Sequence, residues 1–565
     1  MRSARPLRVL LLTSLFVVAL GLLCALSFGL SGSAPALGMQ MGQGVAMGTP
    51  QTPSQLPDRA AVTHEETKKC GTPTIIEILA IWETLTLEER TALRWVFFRP
   101  TDPNGGIDDK QHLLPSLYQT THFVFHYTTG TDGGDAGDAP DLTDANTNGV
   151  PDYIESYASY FETSYTKEVT ERGFNPPPND AGQPPNDARN RNPNGKYDVF
   201  VYAFAFYGYA DPEDWPTTPS RSYIGVNKDY DWAPPNDDPE GDAKGAMKVT
   251  AAHEFHHAVQ FTYDVQEESW WMETTSTYME DEVYPAANDN YNYLPPWFEW
   301  SDGLGLTTSD GLHEYGNFIW AKRLSEDFSD AIVKEIWIED QTSNGLAAID
   351  NVLRTHGSNL IDEFNQFTRS NFFLEQLYTD GAGYRTAVAA PKTTFTGVWL
   401  EFQYDFGTHG LPFTIDASNV NWDTWMDTWA ADYATLTLDD SVQRYRISFD
   451  GLDNTVGYQV TLWTRKGGVF KEYRFALDAN KDGSVDLRYD AYDAAVIIIG
   501  RAGGSSNPLW QITIAAAPAP VGGLAQLPDV SGSSAPPYAA IAGAVAAAVV
   551  VLTAGACYAR RRWLG

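Results

Sequence analysis

The sequence predicts an α+β chain: a mixed sheet threaded with helices, then a helical lobe, then an antiparallel β-sandwich. Three observations predict it. Aromatic-rich strand patterns such as "HFVFHYTT" (His122–Thr129) and "KYDVFVYAFAFYG" alternate with helical spacings in the first half. Helical patterns dominate from there to about Phe373. From Ala389 to Ala517 the chain breaks into short alternating runs, including "VQRYRISFD", "YQVTLWT", "AAVIIIG" and "LWQITIA", which suit a sandwich.

Taken in order, residues 37–73 are rich in Gly, Pro, Gln and Thr and read as a flexible lead-in. Two short amphipathic helices are expected around Ile75–Trp82 and Leu87–Val96. From Asp152, the residues Ile154, Tyr157, Phe161 and Val169 recur at helical spacing. "NPPPNDAGQPPNDARNRNPNG" is a loop, and "SYIGVNKDY" is a further strand. A His-rich helix follows, then "GNFIWAKRLSEDF", "AIVKEIWIED" and "IDEFNQFTRSNFF" as helices of the lobe. The Pro/Gly/Ser stretch "APAPVGGLAQLPDVSGSSAPP" reads as a linker.

Bulk properties narrow the function. With 565 residues the chain exceeds one core, and 43% apolar content with 17 Trp, 29 Tyr and 27 Phe argues for folded domains. A formal charge of −35 argues against nucleic acid, because such a surface repels phosphate. Arg2, Arg5 and Arg8 precede a long apolar run and Ala34-Pro35-Ala36 offers a small-x-small cleavage site, so residues 1–36 read as a signal peptide. The apolar span Tyr538–Tyr558 ends at Arg560, Arg561 and Arg562, which predicts a membrane helix with the body of the protein outside. That end resembles the C-terminal sorting tails of exported bacterial surface proteins, which implies a processing enzyme as a partner. Cys24 and Cys557 lie in the apolar ends, leaving Cys70 as the sole thiol between them and no intrachain disulfide there.

The chemistry concentrates in "VTAAHEFHHAVQFTYD" (Val249–Asp264), which holds three of the ten histidines. On a helix, His253 and His257 share a face one turn apart and can reach one zinc ion. Glu254 then stands beside the metal, placed to take a proton from a water there. A third histidine ligand six residues on would need a glycine at position 260 and a histidine at position 263, but the sequence has Gln260 and Tyr263. Downstream, "EESWWMETTSTYMEDE" carries Glu273 sixteen positions after His257, and an antiparallel helix could return it to the metal. Glu268 and Glu280 stay open as rival ligands. His256 is read as a supporting residue. "GLHEYGNF" offers His313 and Tyr315 as donors to a developing oxyanion, and both also read as packing residues.

These motifs resemble the glutamate-ligand zincins (gluzincins), in which a W-x-x-E-like segment follows the H-E-x-x-H helix; here Trp270-Trp271-Met272-Glu273 carries the match. The gap is shorter than usual for that branch, and Thr277 stands where an acidic supporting residue is common. The order of elements over residues 115–520 resembles exported bacterial zinc metalloproteases with a β-rich C-terminal region. The resemblance implies a zincin-like catalytic domain at residues 115–300 and its helical lobe at 301–388. It also implies a zinc peptidase with a protein or peptide substrate, active outside the cell. The remaining divisions are an N-terminal or prosegment region (37–114), the sandwich (389–517), the linker (518–537), the transmembrane helix (538–558) and a basic tail (559–565).

Two further motifs concern cations and the thiol. "DANTNGVPDYIE" sets Asp144, Asn146, Asn148, Val150, Asp152 and Glu155 at the ligand positions of an EF-hand-type calcium loop, with Gly149 at the sharp turn. "DANKDGSVD" offers Asp478, Asn480, Asp482 and Asp486 as a second calcium site, with Tyr489 at the closing position. "KKCGTP" around Cys70 resembles the cysteine-switch segment of secreted metalloprotease prosegments; an inert thiol is the expected reading. The rival function is a non-catalytic, calcium-binding surface adhesion or ligand-binding protein on a zincin fold.

Overall fold

The computed structural model describes residues 69–103, 105–178, 195–389, 404–406, 412–416, 426–436, 438–503 and 510–517. The predicted signal peptide, linker, apolar span and basic tail lie outside them. Among the described residues no helix is long and apolar enough to cross a membrane.

Helix α1 (Thr72–Ile81) starts with Pro in its first turn, where a missing N–H costs nothing. Helix α2 (Leu87–Ala92) opens on a reciprocal cap between Thr86 and Glu89. It stops short of the expected Val96, giving way to a 3-10 turn over Arg94–Phe97. The first sheet holds β1 (Ser116–Gln119), β2 (Phe123–Tyr127), β3 (Tyr197–Tyr202), β4 (Gly208–Pro212) and β5 (Ser222–Asn227) in the order β1-β2-β3-β5-β4. The β2, β3 and β5 strands are parallel, and β1 and β4 are antiparallel edges. The strand expected across "KYDVFVYAFAFYG" therefore ends early, at Tyr202, and β4 begins only at its last residue, Gly208. The chain leaves the sheet after Tyr202, where Asn227 Nδ2 clamps the carbonyls of Phe204 (2.7 Å) and Phe206 (2.8 Å). It returns on the far side of β5 as the edge strand.

Both faces of this sheet are covered, so every residue of β3 and β5 is buried. On one face lie α3 (Asp152–Tyr165), α4 (Asp242–Gln260) and α5 (Ser269–Val283), through Phe125, Phe161, Val199, Phe255 and Met279. On the other, Ile75, Ile78, Leu79, Trp95 and Leu114 pack on Phe200, Tyr202, Tyr209 and Tyr223. Residues 72–114 are thus an outer layer of the sheet. Short helices from Leu294–Glu299 to Gly381–Ala389 form the lobe.

The C-terminal region is a two-sheet β-structure. One sheet orders β11 (Val469–Arg474), β10 (Tyr458–Lys466), β13 (Ala494–Arg501), β8 (Ala431–Leu436) and β6 (Tyr404–Phe406). The other orders β12 (Asp482–Arg488), β9 (Arg444–Gly451), β14 (Trp510–Ala516) and β7 (Phe413–Asp416). Ile447, Phe449, Leu462, Ile497, Ile499 and Ile512 fill the space between them. Tyr433, Trp463 and Ile498 face the other way, into the core of the lobe.

Candidate metal centre

Helix α4 is buried from Gly245 to Gln260, so its polar side chains must find partners inside the protein. One helical turn brings His253 Nε2 to 3.2 Å from His257 Nε2. The neighbouring helix α5 returns Glu273 to them. Its Oε2 lies 3.0 Å from His253 Nε2 and its Oε1 3.1 Å from His257 Nε2. That Oε1 is buried and has no hydrogen-bond partner. Cys70 Sγ completes the group, 3.4 Å from His257 Nε2. All four donor atoms lie within 4.8 Å of one another, and all four residues are buried.

The donor set fits a divalent metal. Around a tetrahedral zinc, nitrogen and oxygen donors stand about 3.3 Å apart, with sulfur about 3.6 Å from each nitrogen. The three nitrogen and oxygen spacings and the 3.4 Å from Cys70 Sγ to His257 Nε2 are close to these values. Imidazole, carboxylate and thiolate are also donors that zinc accepts.

The supporting contacts hold the two imidazole rings by their far nitrogens. His257 Nδ1 is 2.8 Å from Gln260 Oε1 and 3.2 Å from Ser276 Oγ. The amide of Gln260 reaches on to the Met272 carbonyl (2.8 Å), Thr275 Oγ1 (3.0 Å) and Ser276 Oγ (3.0 Å), locking α4 to α5. His253 Nδ1 is 2.7 Å from Glu280 Oε1. Glu280 therefore sits behind a ligand ring, in the supporting role that Thr277 cannot fill, and is no rival ligand. Glu268 is also excluded, since its carboxylate meets the Trp270 indole at the start of α5. Partners of this kind fix ring orientation and tautomer.

Electrostatics follow from the same burial. Without a cation, burial opposes a charge on His253, yet Glu273 and Glu280 raise it to about 10. Burial would raise Glu273, but His257 and His253 lower it to about 2. Glu254 is raised to about 7, chiefly by burial, against the pull of His253 and His257. A group with that affinity suits proton transfer near neutrality.

Glu254 lies under the edge strand. A Cβ on Gly208 would come within 2.6 Å of Glu254 Cγ, so only glycine lets β4 approach the carboxylate this closely. Glu254 Oε2 is 3.5 Å from Cys70 Sγ and 3.4 Å from Thr72 Oγ1. Tyr315 stands across the site, its hydroxyl accepting the Cys70 N–H at 3.3 Å. His313 does not join the group. Its ring stacks on Trp297 at 5.5 Å, both nitrogens lack hydrogen-bond partners, and burial lowers its pKa to about 4. The lobe packs it inward, so packing wins over chemistry at that position. His256 points away too, with Nδ1 2.8 Å from Glu168 on the π-helical turn Thr166–Glu171 that extends α3.

The two acidic loops differ. Asp144 accepts the Asn148 N–H (3.1 Å) and Gly149 N–H (2.8 Å), while the amides of Asn146 and Asn148 both reach Glu155 at 2.7 Å. Asp152 accepts the Ala145 N–H at 3.1 Å, and Val150 N–H bonds Asn148 Oδ1 at 2.9 Å. These hydrogen bonds tie the predicted ligand residues into one loop, turned by Gly149 at φ +88°, while their carboxylates are not drawn together as the donors of the metal centre are. In the second loop Asp478 accepts the N–H groups of Asn480 (2.8 Å) and Asp482 (3.1 Å), forming an ordinary Asx turn. Asp486 instead points along β12 into an ion pair with Arg446 at 2.8 Å. It is committed elsewhere, so the second set does not assemble.

No family model and no curated protein matches this chain. Among solved structures, it is similar to a 4-O-methyl-alpha-glucuronidase of family GH115 with specificity for decorated arabinogalactans, at 10% identity and a TM-score of 0.13. The match covers 49% of this chain and spans 40% of that enzyme. A likeness of that size carries no argument about fold or function.

Proposed function

We propose that this chain is a zinc-dependent metallopeptidase, an endopeptidase exported to the cell surface and acting on proteins or peptides. The observation that carries the reading is the buried donor set of His253, His257 and Glu273 with Glu254 beside it. Zinc bound there supplies Lewis acidity and acidifies a water. His253, His257 and Glu273 hold the ion, and Gln260 and Glu280 orient the two rings. Glu254 accepts the proton of the attacking water at a carboxylate oxygen and delivers it to the nitrogen of the leaving amine. Tyr315 O–H donates to the oxygen of the scissile carbonyl as charge grows there. The edge strand β4, whose outer side pairs with residues 69–72, offers backbone groups along which an extended peptide could pair in their place.

A structural calcium ion at Asp144–Glu155 belongs to the same reading, supported by the ligand spacing of that loop and the hydrogen bonds that tie Asn146 and Asn148 to Glu155. Export, membrane anchorage and tail processing rest on the two terminal segments of the sequence.

Casein cleavage by the Cys70→Ser protein, compared with the same protein carrying Glu254→Gln, tests the activity. The expected result is cleavage by the first alone. Equal activity, or none in either at full zinc occupancy, would instead favour the adhesion or ligand-binding reading.

A further inference from the structure

The four residues Lys69–Thr72 engage Glu254, His257, Glu280 and Tyr315 of the candidate site at once. Along the edge of β4, Tyr207 N–H bonds the Lys69 carbonyl at 3.0 Å and Gly71 N–H bonds the Gly208 carbonyl at 2.9 Å. Cys70 is bridged to Gly208 in parallel, so the segment occupies the unpaired side of the edge strand. Thr72 Oγ1 accepts the Ala210 N–H at 2.9 Å and reaches Glu254. Cys70 N–H occupies the Tyr315 hydroxyl. The Cys70 sulfur stands where a fourth donor belongs, and it also receives the Thr72 N–H at 3.3 Å. Lys69 anchors the other end, its Nζ 2.8 Å from Glu280 and 2.7 Å from Asp289, with side chains no more than 2% exposed.

We propose that Lys69–Thr72 is a built-in inhibitory strap, with Cys70 as the fourth metal ligand, and that the chain as it stands is latent. This rests on the metal reading above. Binding of the sulfur releases the thiol proton to solvent. When the strap leaves, the sulfur is reprotonated and a water takes its position. A closed four-donor set is otherwise the mark of a structural zinc site. Two features speak for a removable strap. Glu254 is a buried carboxylate beside the site that no structural zinc needs, and the segment is carried on a strand edge as a peptide ligand would be.

The test loads the full chain with Co²⁺ and reads two things besides activity. The first is the sulfur-to-cobalt charge-transfer band, expected in the wild type and absent in Cys70→Ser and Cys70→Ala. The second is spectroscopic titration with acetohydroxamate, a small metal-binding probe. If the Cys70 sulfur holds the fourth position nine-tenths of the time or more, the probe binds the variants about tenfold tighter or better. A wild-type protein with no charge-transfer band overturns the proposal. So does equal probe affinity in wild type and variants, which would show that Cys70 does not hold the fourth position. Failure of all three proteins to bind cobalt would refute the metal centre itself, a distinct outcome that also removes the strap.

Discussion

Replacing Gln260 with Met removes a side chain that touches no metal but should weaken metal binding. Gln260 Oε1 orients the His257 ring through a 2.8 Å contact, and its amide ties that ring to three groups on α5. Loss of such a partner typically costs 10- to 100-fold in metal affinity, about 1.4–2.7 kcal/mol. Ser276 Oγ stands 3.2 Å from the same Nδ1 and can take over the bond, so the single variant should fall near the lower bound. Adding Ser276→Ala removes the substitute and should approach the upper one. Met is close to Gln in volume, and the Met272 carbonyl lies inside α5, so the fold should survive. Competition for zinc against a chromophoric chelator gives the affinities, with thermal unfolding of the metal-free proteins as the control for folding. An affinity within twofold of wild type in the double variant would refute the orienting role.

Other outcomes follow from the same geometry. Glu254→Gln in the Cys70→Ser background should retain zinc while losing about 10²–10⁴ in turnover, read by casein cleavage and metal analysis. In the same Cys70→Ser background, Tyr315→Phe should lower kcat on a peptide substrate by about 10²-fold with KM nearly unchanged; a KM effect alone would point to binding instead. His112 pairs with Asp108 and Asp138, which outweigh its burial and raise it from 6.5 to about 9. Its contribution to stability is complete below pH 6.5 and is lost as pH rises through 9. Urea unfolding at pH 6 and pH 9.5 should show that decline in wild type but not in His112→Gln. Calcium should raise the melting temperature of wild type and leave Glu155→Ala unmoved, because Glu155 closes the Asp144 loop.

The parts legible in the sequence are those whose chemistry is local. His253, Glu254 and His257 lie within one helical turn, and the sandwich shows in its alternating runs. Glu273 was reachable because a second helix after a turn must come back along the first. The sequence around Cys70 resembles a cysteine switch, but nothing in it brings the thiol to the site, which is why an inert thiol is the expected reading. The Cys70 sulfur meets Glu254 across 184 residues, through a strand edge that exists only once β4 has turned back along β5. Gln260 stands where another ligand pattern demands glycine, and its position says nothing of the ring it braces until α5 is in place. Glu280 shares a helix face with Glu273, which made it look like an alternative ligand; only packing separates the donor from its neighbour. His313 drew notice by proximity to Tyr315, yet the lobe turns it against Trp297.

Everything proposed for this protein depends on a single zinc held by His253, His257 and Glu273. The most direct test is zinc content of the purified, dialysed protein beside His257→Ala and Glu273→Ala. The prediction is about one zinc per wild-type chain and near-complete loss in both variants. Undiminished zinc in either variant, or none in wild type after loading, would contradict it.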